Sequence, residues 1–380
     1  MTRPLHARRP ATLASLAAEL GVSRTTVSNA YNRPDQLSPE LRRRVLETAR
    51  RLGYPGPDPV ARSLRTRQAG AVGLLLTEAL AYAFRDPAAL SFLEGLALAC
   101  EEAGRGLLLI PAGLNHADPS PYAVGAGAAT VPITNVNSAA VDGFIVYSVP
   151  DDDPHLAAVL QRPVPTVVCD QPVVTGVDRV GIDDRAAMLT IARHVLELGH
   201  RKIGVLCMRL GRQRNDGPVS PARARETYSH VQRARLSGLR AAFAEAEADF
   251  ADTVVMECFE HTVAAAQTGA AALLDRHPQL TAVVCTSDVL ALGALAEAGR
   301  RGMQVPEELT VTGFDCIAEA ERVGLTTIRQ PILEKGHVAG RLLFDGGDGA
   351  PRNVVLRTEL VVSRTCAPPR TSHVEWFSGL

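Results

Sequence analysis

A chain of 380 residues that is 46% hydrophobic and carries a formal net charge of −1 is long enough for two or three globular domains. It holds no 18-residue apolar run free of charge, and its N-terminal MTRPLHARRP lacks the apolar core of a signal peptide, so we expect a cytoplasmic protein. The seven cysteines are odd in number and form no Cys-x-x-Cys pair, which argues against a disulfide framework and against a structural metal site.

The charge is distributed unevenly along the chain. Residues 1–68 hold 13 arginines, no lysine and five acidic residues and so carry a net charge of +8, whereas the remainder carries −9. A basic segment on an acidic body is typical of a nucleic-acid-binding head joined to a domain with another task.

The sequence of the head, residues 1–56, predicts three short helices. Thr12 is suited to cap the first helix and Ser23 to cap a second over residues 24–32. Ser38 followed by Pro39 predicts the start of a third helix. Two helices joined by a tight turn and followed by a third form the helix-turn-helix arrangement. The buried face expected on the third helix consists of Leu41, Val45, Leu46, Ala49 and Leu52.

The second helix has the composition of a recognition helix. If it turns Val27, Ala30 and Tyr31 towards the core, its outer face presents arginine, asparagine and hydroxyl side chains. Arginine can read guanine, asparagine can pair with adenine, and hydroxyl groups can donate to phosphates. The alternative is a small three-helix domain that binds protein. The residues of the head that we predict to meet DNA are Thr12, Ser23, Arg24, Thr25, Thr26, Ser28, Asn29 and Asn32.

A linker follows at residues 57–69, where VARSLRTR has the pattern of two helical turns. Eight residues cannot hold a helix alone in water, so we expect this segment to fold only on DNA. Leu64 would then be an apolar wedge in the minor groove. The alternative is a charged linker with accidental periodicity.

From Ala71 onward, apolar strands alternate with helical patterns, which is typical of doubly wound α/β units. Eight strands exceed one such fold and favour two subdomains. Two segments, residues 115–137 and 209–228, are expected to be surface loops. The predicted strands are AVGLLL, GLLLIPA, DGFIVYS, VPTVVCD, KIGVLCM, TVVMECF, TAVVCTS and LTVTGFD.

Several motifs occur together and in order: TLASLAAELGVSRTTVSNAYN, VARSL, LGHRKIGVL, ARLSGLRAAF, SDVLALGAL and VPEELTVTGFD…LTTIRQP. Over nearly its whole length the chain resembles the LacI/GalR family of bacterial transcription regulators. The resemblance implies an all-α helix-turn-helix head, a hinge helix, and an α/β body of two Rossmann-like subdomains of the type I periplasmic-binding-protein kind. It also implies a homodimer on a palindromic DNA operator and a small effector in the body.

On this resemblance the body divides into residues 70–182 with 330–357 and residues 183–329 with 358–370, followed by a tail at 371–380. Arg24, Thr25 and Asn29 stand where family members contact bases. Leu64 stands at the intercalating hinge leucine, with Ala61 beside it.

The predicted effector site lies at the carboxyl ends of the strands, where ligands bind in parallel α/β sheets. Asp170, Phe259 and Asp315 follow strands there. The resemblance implies that these three residues and Arg235 contact the ligand. Asn precedes Asp in several sugar-binding relatives; here that residue is Ser287, which offers a single hydrogen-bonding atom. The full predicted set is Tyr82, Phe84, Asp170, Arg235, Phe259, Ser287, Asp288 and Asp315.

These patterns favour a DNA-binding repressor released from its operator by a small polar effector, a carbohydrate or a similar molecule. A regulator that needs a purine-like or other corepressor is the alternative of the same class. A cytosolic carbohydrate-binding or enzymatic α/β protein with a protein-binding head is the alternative of another class. The absence of GxSxG and GxxxxGK[ST] argues against an enzyme, and we expect no cofactor.

Overall fold

The structure of the chain, a computed structural model, describes residues 11–57, 66, 68–76, 83–111, 133–250, 253–346 and 349–370. Contacts divide it into two units, residues 1–70 and residues 71–380, which we call the head unit and the body. Ala61, Leu64 and Tyr82 lie outside the described residues. Within the ranges that are described, no helix has the length and apolar character needed to cross a membrane.

The head contains the three predicted helices. The hydroxyl oxygens of Thr12, Ser23 and Ser38 accept hydrogen bonds from backbone N–H groups in the first turns, at 3.1, 3.0 and 3.3 Å. Such bonds satisfy donors that have no acceptor inside a helix, so all three predicted caps are confirmed. The helices are α1 (Leu13–Leu20), α2 (Arg24–Asn32) and α3 (Pro39–Leu52), with a 3-10 turn at Pro34–Gln36 between α2 and α3.

The head has its own hydrophobic core, to which α2 contributes Val27 and Ala30. The ring of Tyr31 packs edge-on against Tyr54, with centroids 6.1 Å apart, and burial raises the pKa of Tyr31. The predicted orientation of α2 is therefore confirmed.

The prediction that Leu46 joins this core is wrong. Leu46 is only half-buried and lies among the arginine side chains on the outer side of α3. The stripe of α3 that meets the other helices is narrow and centres on Val45 and Ala49, so it leaves Leu46 at its border.

All eight predicted strands of the body are confirmed, and five more occur. The strands of the described residues are β1 (Ala71–Leu76), β2 (Gly106–Pro111), β3 (Gly143–Tyr147), β4 (Thr166–Cys169), β5 (Asp178–Ile182), β6 (Ile203–Met208), β7 (Gly217–Pro218), β8 (Val254–Cys258), β9 (Ala282–Cys285), β10 (Thr310–Thr312), β11 (Thr327–Arg329), β12 (Asn353–Leu356) and β13 (Glu359–Val361).

Helices alternate with these strands, as the pattern of the sequence predicts. They are α4 (Pro87–Glu102), α5 (Thr134–Ser138), α6 (Pro154–Leu160), α7 (Asp184–Glu197), α8 (Pro221–Arg225), α9 (His230–Glu245), α10 (Val263–Arg276), α11 (Asp288–Arg301), α12 (Ala318–Val323) and α13 (Ile332–Phe344).

The strands form two mainly parallel sheets. The first has the order β12-β5-β4-β3-β1-β2 and the second β10-β9-β6-β8-β7, and β11 pairs separately with β13. We call the first sheet with α4, α6 and α13 the first half, and the second sheet with α7, α9, α10 and α11 the second half. The chain returns from the second half through α13 to β12, which pairs with β5. Buried apolar strands between helices are what parallel sheets require.

The segment 209–228 is not all loop, contrary to the prediction. It contains β7 and α8, and the guanidinium of Arg223 on α8 pairs with the buried carboxylate of Glu257 on β8. A buried carboxylate needs a charged donor, and this need orders an arginine-rich segment that has no hydrophobic pattern. The other predicted loop, residues 115–137, lies largely outside the described residues, and α5 begins near its end.

Glycines allow α4 and α13 to pack with their backbones close together. A Cβ atom at Gly95 would collide with the carbonyl group of Leu333, and one at Gly336 would collide with the carbonyl group of Phe92. The close approach places apolar side chains of both helices in one core cluster with side chains of β1, β3, β4 and β5.

We expect Gly95→Ala to lower the free energy of unfolding of the body by about 1–3 kcal/mol, because the added methyl group forces the two helices apart. Gly299 in α11 has no heavy atom within 4 Å of the position of a Cβ, so Gly299→Ala is the matched control. The control is expected to gain roughly 0.5–1 kcal/mol from helix propensity. Urea unfolding checks both, and equal stability of the two variants would contradict the packing described.

Candidate nucleic-acid interface and ligand cleft

The residues predicted to meet DNA lie on the accessible surface of the head. Ser23, Arg24 and Thr25 are exposed at the start of α2, and Thr12 is exposed at the start of α1. Thr26, Ser28, Asn29 and Asn32 are partly exposed along α2.

Hydrogen bonds within the head orient several of these side chains. The amide nitrogen of Asn29 donates to the Oε1 atom of Gln36 at 3.0 Å, and that of Asn32 donates to the hydroxyl of Ser28 at 3.1 Å. The bond from Asn29 ties α2 to the 3-10 turn, so the direction of this amide is set before any DNA arrives.

The head also presents positive charge around α2. Its exposed arginines include Arg24 and Arg33 on and after α2, whereas Arg51 is paired with Glu19 at 2.8 Å. The N-terminus of α2 adds the positive end of a helix dipole and backbone N–H groups. This surface therefore suits a polyanion, with short polar side chains at its centre to contact bases.

The ligand cleft is built around the buried guanidinium of Arg235 on α9. Its Nε atom donates to Asp184 at 2.8 Å, its Nη1 atom donates to the carbonyl oxygen of Thr286 at 2.5 Å, and Nη1 lies 3.9 Å from Asp315. The guanidinium also stacks 3.7 Å from the ring centroid of Phe314. Three strand ends and a helix are thereby held at one point, with a fork of donors directed at carboxylate oxygens.

A second buried set links Asp315 to the first half. Gln330 donates to Asp315 at 2.6 Å, and the Nζ atom of Lys335 donates to Gln330 at 2.9 Å and lies 2.7 Å from Asp170. The backbones of Asp170 and Asp315 have φ values of 61° and 128°, which non-glycine residues rarely adopt. Unusual backbone geometry concentrates at functional sites, where surrounding contacts must enforce it.

The proximity of these carboxylates shifts the pKa values of the groups around them. Burial raises the pKa of Asp315 well above its ordinary value, with Arg235 opposing the shift and Asp288 and Asp86 adding to it. Burial also raises the pKa of Tyr147, helped by the charges of Asp170, Asp86 and Asp315. The sequence analysis missed Tyr147, although it ends a predicted strand.

Phe259 is buried directly after β8, and its stacking on a ligand ring stays a prediction. Phe259 is only 4% exposed, and the guanidinium groups of Arg209 and Arg214 lie 5.8 and 5.5 Å from its centroid. Its backbone N–H donates to Asp216 at 2.9 Å. Arginines of the segment predicted as a loop therefore pack near this ring.

Ser287 and Asp288 are engaged inside the second half. Ser287 caps α11 and shares a hydrogen bond of 2.8 Å with the Nε2 atom of His261, a residue that the sequence analysis missed. Asp288 is fully buried, and its two carboxylate oxygens accept bonds from the Thr327 hydroxyl at 2.6 Å and the Ile317 N–H at 2.9 Å. The carboxylate of Asp288 thereby joins the start of β11 to the backbone before α12, and its contact with an effector stays a prediction.

Of the remaining predicted residues, the structure describes Phe84. Phe84 lies in a turn before α4 with 55% of its surface exposed, and Tyr82, Ala61 and Leu64 lie outside the described residues. A cavity of about 920 Å³ lies beside the cleft, and among the predicted residues it reaches only Asp315. Among the described residues, no cluster of three or more His, Cys, Asp or Glu side chains has the geometry to hold a metal ion.

Comparison with known proteins gives a consistent picture. Residues 192–366 match the family model of a periplasmic binding protein-like domain. An HTH-type transcriptional regulator of Mycolicibacterium smegmatis is 53% identical over 376 residues, which cover 97% of this chain and all of the relative.

Solved structures agree with the sequence relatives. A LacI-family transcriptional regulator from Corynebacterium glutamicum superposes with a TM-score of 0.70 at 41% identity, covering 95% of this chain and all of that one. The complex of the regulator CelR with cellobiose gives a TM-score of 0.65 at 26% identity, over 93% and 99% of the two chains. The lac repressor dimer bound to operator gives 0.74 at 22% identity, over 94% and 100%, which shows the shared fold.

We expect Asp315→Asn to stabilise the ligand-free protein at pH 7 by on the order of 1 kcal/mol, because it removes a buried charge. The raised folded pKa means that the wild type loses stability as the pH rises above the ordinary value of 3.8. The extra stability of the variant over the wild type should therefore vanish near pH 4. Melting temperatures between pH 4 and 8 check this, with exposed Glu307→Gln as the control. A variant that is less stable than the wild type at pH 7 would contradict it.

Proposed function

Because this chain belongs to the LacI/GalR family of helix-turn-helix transcriptional regulators, we propose that it is a repressor which leaves a palindromic operator when a small polar effector binds in its body. The single observation that carries the proposal is the convergence of Arg235, Asp315 and Asp170 at the carboxyl ends of strands from both halves. A protein that works on bacterial DNA is expected in the cytoplasm.

The head supports reading of DNA through the major groove. Arg24 and Thr25 are exposed at the N-terminal end of α2, the end with which recognition helices of this kind meet base edges. Val27 and Ala30 anchor the opposite side of the helix in the head core. The hydroxyls of Ser23 and neighbouring residues then suit phosphate oxygens, which fix the register of the helix without reading sequence.

The body supports a polyhydroxylated effector such as a sugar. Buried carboxylates accept hydrogen bonds from hydroxyl groups, and the guanidinium of Arg235 donates hydrogen bonds to hydroxyl oxygens. One cluster can therefore bind neighbouring hydroxyl groups of a ligand both as donors and as acceptors. The structural relative CelR is known in complex with cellobiose. Ser287 is bonded to His261, so the polar group that this corner offers a ligand combines a hydroxyl with an imidazole.

We propose a homodimer as the DNA-binding form, since a palindrome is read by two heads related by a two-fold axis. The outer side of α4 offers an apolar surface for this pairing, because Leu90 and Leu98 are 42% and 43% exposed. The lac repressor, which shares the fold, is a dimer on its operator.

Effector control is proposed to act through the hinge segment. Two Leu64 side chains would enter the central minor groove and kink it, at a deformation free energy of a few kcal/mol that extra contacts offset. An effector that changes the angle between the halves of the body would change the fraction of molecules in which the hinge segment is helical. A coupling of about 1–3 kcal/mol is enough for a 5- to 150-fold change in operator affinity.

Selection of bound sequences from random DNA tests the proposal directly, and we expect a palindromic motif. Arg24→Ala should weaken binding to that motif by about 1–3 kcal/mol and relax the preference at one position of each half-site. Arg51→Ala is the control, since Arg51 is engaged with Glu19. Failure of the wild type to enrich any motif would overturn the DNA-binding proposal.

Effector binding is tested by operator titrations in the presence of cellobiose, other sugars and nucleosides. We expect one member of the panel to weaken operator binding, and Arg235→Lys to bind the operator without responding, because lysine lacks the planar fork of donors. Arg240→Lys on the exposed side of α9 is the matched control and should respond normally. A ligand that tightens operator binding would identify a corepressor instead, and a fully responsive Arg235→Lys protein would exclude this cleft.

A further inference from the structure

One buried side chain connects the two halves of the body beside the cleft. Gln171 directly follows β4 and the cleft residue Asp170 in the first half, and it is only 5% exposed. Its side chain reaches the N-terminus of α9, which belongs to the second half.

The amide of Gln171 is bonded at both of its atoms. Its Oε1 atom accepts hydrogen bonds from the hydroxyl of Ser229 and from the backbone N–H of Val231, both at 3.0 Å. Its Nε2 atom donates to the carbonyl oxygen of Ser148, after β3, at 3.3 Å. Ser229 is the N-cap of α9, so Gln171 supplies an acceptor from one half to an otherwise unsatisfied helix end of the other.

The corner that carries Gln171 is held firmly within the first half. The carbonyl oxygen of Asp170 accepts from the guanidinium of Arg179 at 2.9 Å, and the carboxylate of Asp170 lies 2.7 Å from the Nζ atom of Lys335. Because its base cannot shift easily, a displacement between the halves has to be absorbed by the bonds of the Gln171 amide.

Ion pairs at the rim join the same two halves. Arg233 on α9 lies 3.5 Å from Asp151, and Arg212 lies 2.8 Å from Asp152. These four side chains are largely exposed, and exposed ion pairs stabilise little. The buried amide, whose loss leaves donors and a carbonyl unsatisfied, is therefore the stronger link.

We propose that Gln171 is a latch that holds the two halves closed beside the cleft, and that α9 connects this latch to effector binding. Val231, whose backbone N–H donates to Gln171, lies one helical turn before Arg235, so both residues are on the same side of α9. A ligand that shifts Arg235 also shifts the N-terminus of α9. The role of Gln171 is that of a positioning residue, and the link to an effector rests on the function proposed above.

Hydrogen exchange of the ligand-free full chain tests the latch in Gln171→Met, which keeps the length of the side chain and removes its hydrogen bonds. Losing the two bonds that Gln171 accepts from Ser229 and Val231 should raise the exchange of the segment 229–235 by about tenfold. If the halves open, the facing segment 148–152 should exchange faster as well. Gln161→Met, at an exposed position after α6, is the control and should match the wild type.

Faster exchange in both segments, with a larger radius of gyration in solution scattering, supports the latch. Faster exchange confined to 229–235, or unchanged exchange, overturns it. Should Gln171→Met fail to fold, Ser229→Gly removes one of the two groups that donate to Gln171, and glycine remains an acceptable N-cap. We then expect a smaller increase of the exchange rate in both segments. If no sugar or nucleoside alters operator binding by the wild type, the proposed effector control fails, whereas the exchange result still decides the latch.

Discussion

The buried guanidinium of Arg235 is the interaction on which the body depends most. A cation without water must be surrounded by acceptors, and leaving it unpaired costs about 3–5 kcal/mol. Asp184 at the start of α7, the carbonyl group of Thr286 after β9, and Asp315 after β10 meet that demand. The strand ends of the second half are thus brought together by one charge, and the same charge is the donor best placed for a ligand.

Features of the cleft that suit binding lower the stability of the folded protein. Asp315 is held in an environment that raises its pKa, and Asp170 and Asp315 have backbone conformations that are unfavourable for non-glycine residues. A protein selected only for stability has no reason to keep such features at one place. These features support the proposal that the cleft binds an effector.

Local and apolar signals were the ones that could be predicted from the sequence. The caps Ser23 and Ser38 act within four residues of themselves, and the strands predicted as buried runs are buried because apolar side chains must leave water. Strands β5 and β12 were missed because they are short and pair across 170 residues of sequence, as Val180 does with Val354. The rule that ligands bind after strand ends was enough to predict where the cleft lies. It did not show which side chains there are already hydrogen-bonded to other parts of the protein.

That last limit has a physical cause. Asp288 and Asp315 both follow strands of the second sheet, but Asp288 is bonded to Thr327 and Ile317, residues about 30 to 40 positions away. Phe259 is covered by Arg209 and Arg214, whose segment carries no hydrophobic pattern. Such pairings depend on three-dimensional neighbours, and a single sequence does not contain the distances.

The bond between Asn29 and Gln36 has a consequence for how the head searches a genome. Phosphate contacts hold the head on any duplex and allow it to slide, and they do not disturb that bond. If Asn29 reads a base, as proposed, its amide has to exchange Gln36 for the base edge, and this exchange is favourable only where the base matches. On that proposal the head would slide with Asn29 bonded to Gln36 and would release this bond only at a matching sequence, so one side chain with two alternative acceptors would separate scanning from binding.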